Sequence, residues 1–240
     1  MKRIPPAFGL VLLCSLSLAL PAAAQQQLSA GQQEPAAAWQ NPAPPGSARA
    51  QLDAFSAGLE ALHARFDQQV ISTDGGVEDR SSGEVWLQRP QRFRWEYGGD
   101  FPEVVVADGE RIWIYDEALE QVTVEDQSAG DLASPLTLLT DPGRLDEQFA
   151  VREAGEADGL QLLELRAHSA ESDFERILLG LLGDALELLI MEDAFGLRTE
   201  LRFHDVERNP TVEETRFSFT PPEGVDVVGD VAIIRPLEPK

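Results

Sequence analysis

Cysteine is almost absent, with Cys14 the only one in 240 residues, so no disulfide can form within the chain. Lysine is nearly as scarce, confined to Lys2 and Lys240. The three histidines, His63, His168 and His204, sit in separate segments with no pair at metal-ligand spacing. No GxSxG, GxGxxG, P-loop or EF-hand spacing occurs. These absences leave no legible catalytic, cofactor or metal centre. With 42 acidic residues, a paired-carboxylate hydrolase is the one enzymatic arrangement that spacing leaves open, and the chain is read as no enzyme. Beyond the N-terminus no run of eighteen or more apolar residues appears, so the mature protein is expected to be soluble.

Positive charge is also short, with 19 basic residues against 42 acids and a formal charge of −23. Clustered Lys and Arg are what hold a phosphate backbone, so nucleic acid is not the expected partner. An acidic surface does not adsorb to anionic lipid headgroups either. Crowded acids repel one another, and salt shortens the reach of that repulsion from about 30 Å at 0.01 M to about 3 Å at 1 M. The melting temperature is expected to rise markedly between low salt and molar sodium chloride, and equally in potassium chloride. A melting temperature flat across that range would show the acids to be well spaced or paired, and would remove the reading that this surface suits a salty habitat.

What is present begins with a secretory layout. Residues 1–24 carry Lys2 and Arg3, an apolar run from Phe8 to Leu20, and small residues at Ala22 and Ala24. Cleavage after Ala24 is expected, which takes the formal charge from −23 to −25 and gives an exported protein. Cys14 follows Leu13 in mid-run, the wrong setting for lipidation. Residues 25–46 are rich in Gln, Ala and Pro, nearly uncharged and without period, which reads as a disordered leader containing Trp39. Residues 47–240 read as a single domain, large enough to bury an ordinary core.

Ser47 is positioned as an N-cap, and Leu52, Phe55, Leu59 and Leu62 follow at helical spacing, giving one apolar stripe on a helix of about four turns. From Ala64 the pattern changes to short alternating segments divided by the turn signals TDGG (73–76), ADGE (107–110), EADG (156–159), LLGD (181–184) and DAFG (193–196). Ten to twelve strands fit, with neighbours joined as hairpins. Ser134-Pro135 opens a short helical patch with Leu136, Leu138 and Leu139, expected to stop before Asp141-Pro142. The order is therefore one helix, about six strands, a short helix and about six strands. One long antiparallel sheet of this size curls into a barrel or folds into a sandwich. Two amphipathic helices without a helical partner then cover its concave side or an open mouth.

In RPQRFRWEY (89–97), Phe93, Trp95 and Tyr97 face one way and Arg92, Arg94 and Glu96 the other. Phe93 and Trp95 are grouped with Trp86, Trp113 and Tyr115 of neighbouring strands, with Val104 and Val106 between them. These side chains either fill a barrel core or line an apolar pocket. Eleven or twelve strands can leave a cavity where about eight would be filled by side chains, and a pocket under removable helices would suit hydrocarbon.

LHARFDQQV (62–70), GEVWLQRPQRFRWEY (83–97), VADGERIWIYDEALEQVTV (106–124), SPLTLL (134–139) and FSFTPPEGVDVV (217–228) stand in the order and spacing of the periplasmic lipoprotein carrier family, LolA, which the chain resembles over nearly all of residues 47–230. The resemblance implies a mainly β fold, an incomplete antiparallel β-barrel of about 11–12 strands with a lid of short α-helices. It also implies an apolar interior that takes lipoprotein acyl chains, loading by an inner-membrane ABC transporter of the LolCDE type, and delivery to the outer-membrane receptor LolB. No cofactor is implied, and a monomer is expected. Arg89 matches the arginine that holds the lid against the barrel, and Phe93 an apolar residue at the mouth. Leu52, Phe55, Leu59, Leu136 and Leu139 would be lid residues, and Trp86, Trp95, Trp113 and Tyr115 would line the interior. The long leader, the acidity and the leucine-rich ILLGLLGDALELLIM (177–191) depart from the family pattern. The alternative function is a periplasmic lipoprotein-sensing or scaffold domain that regulates a partner protein.

Overall fold

A computed structural model describes residues 44–127, 142–169, 172 and 174–229. Residues 1–43, with Cys14, Trp39 and the expected signal, fall outside the described residues, as does the 134–139 patch with Leu136 and Leu139.

The described chain is mainly β. Helix α1 (Ala48–Ser56) leads into β1 (Ala61–Ile71), β2 (Val77–Gln88), β3 (Arg92–Tyr97), β4 (Glu103–Ala107), β5 (Arg111–Asp116) and β6 (Gln121–Asp126). Helix α2 (Pro142–Gln148) opens the second half, followed by β7 (Phe149–Ala157), β8 (Leu160–Ala167), β9 (Arg176–Leu182), β10 (Ala185–Glu192) and β11 (Arg198–Arg208). A 3-10 turn at Glu214–Phe217 precedes β12 (Asp226–Gly229). All five turn signals fall between paired strands, because Gly and Asp supply the backbone conformations that tight reversals need.

The twelve strands form one open, curled sheet in the order β12-β6-β5-β4-β3-β2-β1-β11-β10-β9-β8-β7. Neighbours are antiparallel with one exception, since β12 runs parallel to β6. The expectation of hairpins throughout is corrected there. The chain leaves β11, crosses the outer face of the sheet and arrives beside β6 by a crossover, the connection that parallel pairing requires.

One further local expectation changes. Helix α1 ends at Ser56 rather than running on through Leu62, because Gly58 takes a positive φ of 65° and turns the chain. Leu59 lies in the connection and Leu62 in β1, yet both remain buried. Pro142 is the first residue of α2, a position where its missing N–H is not needed, and the patch expected to stop before Asp141-Pro142 lies outside the described residues.

The interior face carries the main core. Leu62, Ala64 and Phe66 of β1, Val85 and Leu87 of β2, Phe93 and Trp95 of β3, and Leu163, Leu165, Leu179 and Leu189 of the second half belong to one buried cluster. Gly83 sits under the Phe66 ring. A Cβ there would lie 2.9 Å from Phe66 Cζ and 2.0 Å from the Glu96 carbonyl oxygen, so only glycine fits. The leucine-rich hairpin β9–β10 is apolar on both faces. Ile177, Leu179, Leu181, Leu186, Leu189 and Met191 join the interior cluster, and Leu188 is buried outside it.

Candidate functional site

Helix α1 lies over β8, β9 and β10 and touches α2, which packs on β7. Its stripe and the connection after it enter the interior cluster, where Ala48, Leu52 and Leu59 are 0% exposed and Phe55 is 1% exposed. Leu145 of α2 joins them. In this closed arrangement side chains occupy the interior.

Polar groups fasten both ends of α1. At its start Ser47 Oγ accepts from the Ala50 N–H at 3.2 Å. The Glu153 carboxylate of β7 accepts from the Ala48 and Arg49 N–H groups, each at 3.0 Å. These amides have no partner inside the helix, and a negative charge is favourable at that end. Arg49 donates from Nε to Asp53 at 2.9 Å, and its two terminal nitrogens engage both carboxylate oxygens of Asp146 in α2. The two helices are thus joined by a forked ion pair.

At the other end, Arg208 at the close of β11 donates from Nη2 to the carbonyls of Phe55 and Ala57, each at 2.9 Å, and of Ala54 at 3.3 Å. Asp184 of the β9–β10 turn holds Nη1 at 3.1 Å. Arg208 Nε is buried without a hydrogen-bond partner among the described residues. Asn209 continues the clasp. Its Nδ2 donates to the Gly58 carbonyl at 2.8 Å, and its Oδ1 accepts from the Glu60 and Ala61 N–H groups at 2.7 and 3.1 Å.

Arg89 is the arginine expected to hold the lid against the barrel, but among the described residues it is Arg208 whose guanidinium reaches the end of α1. The Arg89 backbone N–H donates to the Glu60 carbonyl at 2.9 Å, but its half-buried guanidinium makes no hydrogen bond or ion pair among the described residues. Neither Glu153 nor Arg208 carries a local sequence signal, because each meets α1 from more than a hundred positions away. The Arg208-Asn209 pair at a strand end, beside a turn needing a positive φ at Asn209, is the nearest thing to one.

The aromatic set divides. Phe93 and Trp95 lie in the interior, 4% exposed each, with Phe66 edge-on to Trp95 and Tyr97 at 5.0 and 5.2 Å. Trp86, Trp113 and Tyr115 lie on the opposite face. Register decides this, since Trp86 pairs with Arg94, and Trp95 aligns with Val105 and then Ile114. Val104 and Val106 therefore also point outward, with Trp113, Val122 and Val124. The returning segment covers them. Phe219 lies 5.9 Å from both Trp113 and Tyr115, and Arg216 stands 4.4 Å over Trp86, which stacks on His63 at 4.9 Å. A groove of about 510 Å³ on this outer side, between His63, Trp86, Arg94 and residues 210–216, is open and charged, unlike the interior.

The site is thus an open curled sheet whose apolar concave face is covered by an amphipathic helix pinned at both ends. The family model described as "Outer membrane lipoprotein carrier protein LolA" matches residues 57–220. A protein of Xanthomonas campestris pv. campestris (strain B100) named "Outer-membrane lipoprotein carrier protein" is 43% identical over 185 residues, covering 76% of this chain and 88% of the relative. One of the same name from Dechloromonas aromatica (strain RCB) is 41% identical over 180 residues, covering 75% and 86%. The crystal structure of an uncharacterized conserved protein from Thermus thermophilus shares the fold, with a TM-score of 0.50 at 16% identity over 75% of this chain and 98% of that one. This chain belongs to the LolA family.

Proposed function

We propose that the protein is a periplasmic chaperone, and no enzyme, that takes the acyl chains of lipoproteins released from the inner membrane and delivers them to an outer-membrane receptor. The observation that carries this reading is the pairing of an apolar concave face with a helix whose buried stripe is held there by polar groups at its two ends. Any helix end needs partners for its free main-chain groups, and here those partners stand on β7 and β11 rather than on α1 itself. In a cover that gives way to cargo, the same contacts set how strongly α1 competes with hydrocarbon for the concave face. Residues 1–24 export the chain and are cleaved, residues 25–46 form a leader, and the remainder works as one domain. An ABC transporter of the LolCDE type loads it and a receptor of the LolB type unloads it. Phe93, Trp95, Leu52, Phe55 and Leu59 are the residues cargo meets, with Leu136 and Leu139 of the second lid segment. Trp86, Trp113 and Tyr115 support the wall from outside.

The test is recovery of the protein from the periplasm of its source, followed by mass spectrometry of whatever copurifies. Triacylated or diacylated lipoproteins at up to one per chain are expected. Recovery without any acylated protein, together with failure to solubilise lipoprotein released from membranes, would overturn the reading.

A further inference from the structure

The interior is not apolar throughout. Along the end of the sheet that bears the β1–β2, β3–β4 and β5–β6 turns, the interior positions change character. Phe66, Gly83, Tyr97, Glu103 and Asp116 form one row across β1 to β5, each directly opposite the next. Gln68 and Ser81 face each other in the row below. The row above is apolar, with Ala64, Val85, Trp95, Val105 and Ile114. The concave surface therefore ends in a belt of hydrogen-bonding groups.

Its parts are only loosely satisfied. The Tyr97 hydroxyl donates to Gln68 Oε1 at 3.4 Å, and Ser81 Oγ is buried with no partner among the described residues. Glu103 makes no ion pair among the described residues, and the groups that face it from the neighbouring strands are the Tyr97 phenol and the Asp116 carboxylate. Asp116 is occupied elsewhere, since its Oδ1 accepts from the Leu119 N–H at 2.9 Å. Burial, with Asp116 beside it, lifts the Glu103 carboxyl to about 7, and burial with Glu103 beside it raises the Tyr97 phenol. Glu103 is thus the member of the belt that changes charge near neutral pH.

We propose that this belt is a proton-coupled floor of the cargo space, in which acyl chains arriving against Tyr97 exclude the water that solvates Glu103 and drive its carboxylate to take up one proton. The inference rests on the carrier reading. Hydrocarbon against a carboxylate disfavours the charged form, so the loaded protein holds the proton to higher pH than the empty one. By linkage, cargo binds more weakly as pH rises through the value at which empty Glu103 ionises.

The probe is a synthetic tripalmitoyl cysteinyl peptide amide whose own groups do not titrate between about pH 5.5 and 8.5. Wild-type affinity is expected to be level at the acid end and to fall towards about tenfold per pH unit above about 7, the limit for one proton. Calorimetry in buffers of different ionisation heat should register uptake of about half a proton at pH 7, where the empty site is half charged. Glu103→Gln should give a flat profile and no uptake, which separates Glu103 from the three histidines. Asp116→Asn should move the onset to lower pH, because it removes one of the two causes of the raised value, and it serves if the first variant fails to fold. A pH-independent wild-type affinity without proton uptake overturns the proton-coupled floor and leaves the carrier reading standing. Absence of binding at every pH overturns the carrier reading itself.

Discussion

Arg208→Leu is expected to release the C-terminal end of α1 while leaving the sheet intact. The guanidinium serves three main-chain carbonyls of residues 54, 55 and 57 and one carboxylate, Asp184. Hydrogen bonds to a charged group contribute about 1.5–3 kcal/mol each, but this side chain is 30% exposed, and water can reach part of what it leaves behind. A net loss of about 2–4 kcal/mol is expected, most of it from the closed position of α1 rather than from the strands. Arg208→Lys should recover little, because a single ammonium cannot span the carbonyls and Asp184 together. Hydrogen exchange of the amides of residues 52–57 should quicken in both variants, with β1 and β11 unchanged, and cargo should still load but pass poorly to a receptor. Protection of α1 equal to wild type would sink the clasp role.

The elements legible in the sequence are those fixed by short-range chemistry. The alternation in β3, the Ser47 cap and the five turns each depend on residues within a few positions of one another, and all are where the pattern puts them. Helix α1 reads too long because Leu59 and Leu62 keep its spacing after Gly58 has ended it, and a buried connection looks the same as a helical stripe in one dimension. The aromatics group on one face in a reading of the sequence because side-chain chemistry does not report register. Only the pairing of Trp95 with Val105 and Ile114 shows that Trp113 and Tyr115 point away. A usable signal is present in RIWIYD, whose four consecutive apolar residues, Ile112, Trp113, Ile114 and Tyr115, mark a strand covered on both faces. The latches are beyond reach for a different reason. Glu153 and Arg208 act on main-chain groups, which every residue has, so nothing in the partner's sequence points to them.

The lid side chains lead to the second large effect. A sixteen-carbon chain fully buried is worth on the order of 12 kcal/mol at about 0.8 kcal/mol per methylene, too much for a protein that must let go. Leu52, Phe55 and Leu59 already occupy the interior, and on the proposed reading cargo displaces them, so that their burial subtracts from net affinity. Phe55→Ala tests this directly. Removing a buried phenylalanine costs about 3–5 kcal/mol, and here the cost falls on the closed, empty state. The empty variant should therefore unfold at lower denaturant, while cargo, which no longer competes with the ring, binds up to about 150-fold more tightly, about 3 kcal/mol. Transfer to a receptor should slow in proportion if return of the ring helps to expel the chains. Leu145→Ala in α2, buried in the same cluster but attached to the neighbouring helix, should act in the same direction. The readings to take are urea midpoints for the empty protein, equilibrium binding of an acylated peptide, and single-turnover transfer. Loss of stability with cargo affinity unchanged or weakened would mean that Phe55 belongs to the permanent core, and that the chains enter without moving α1.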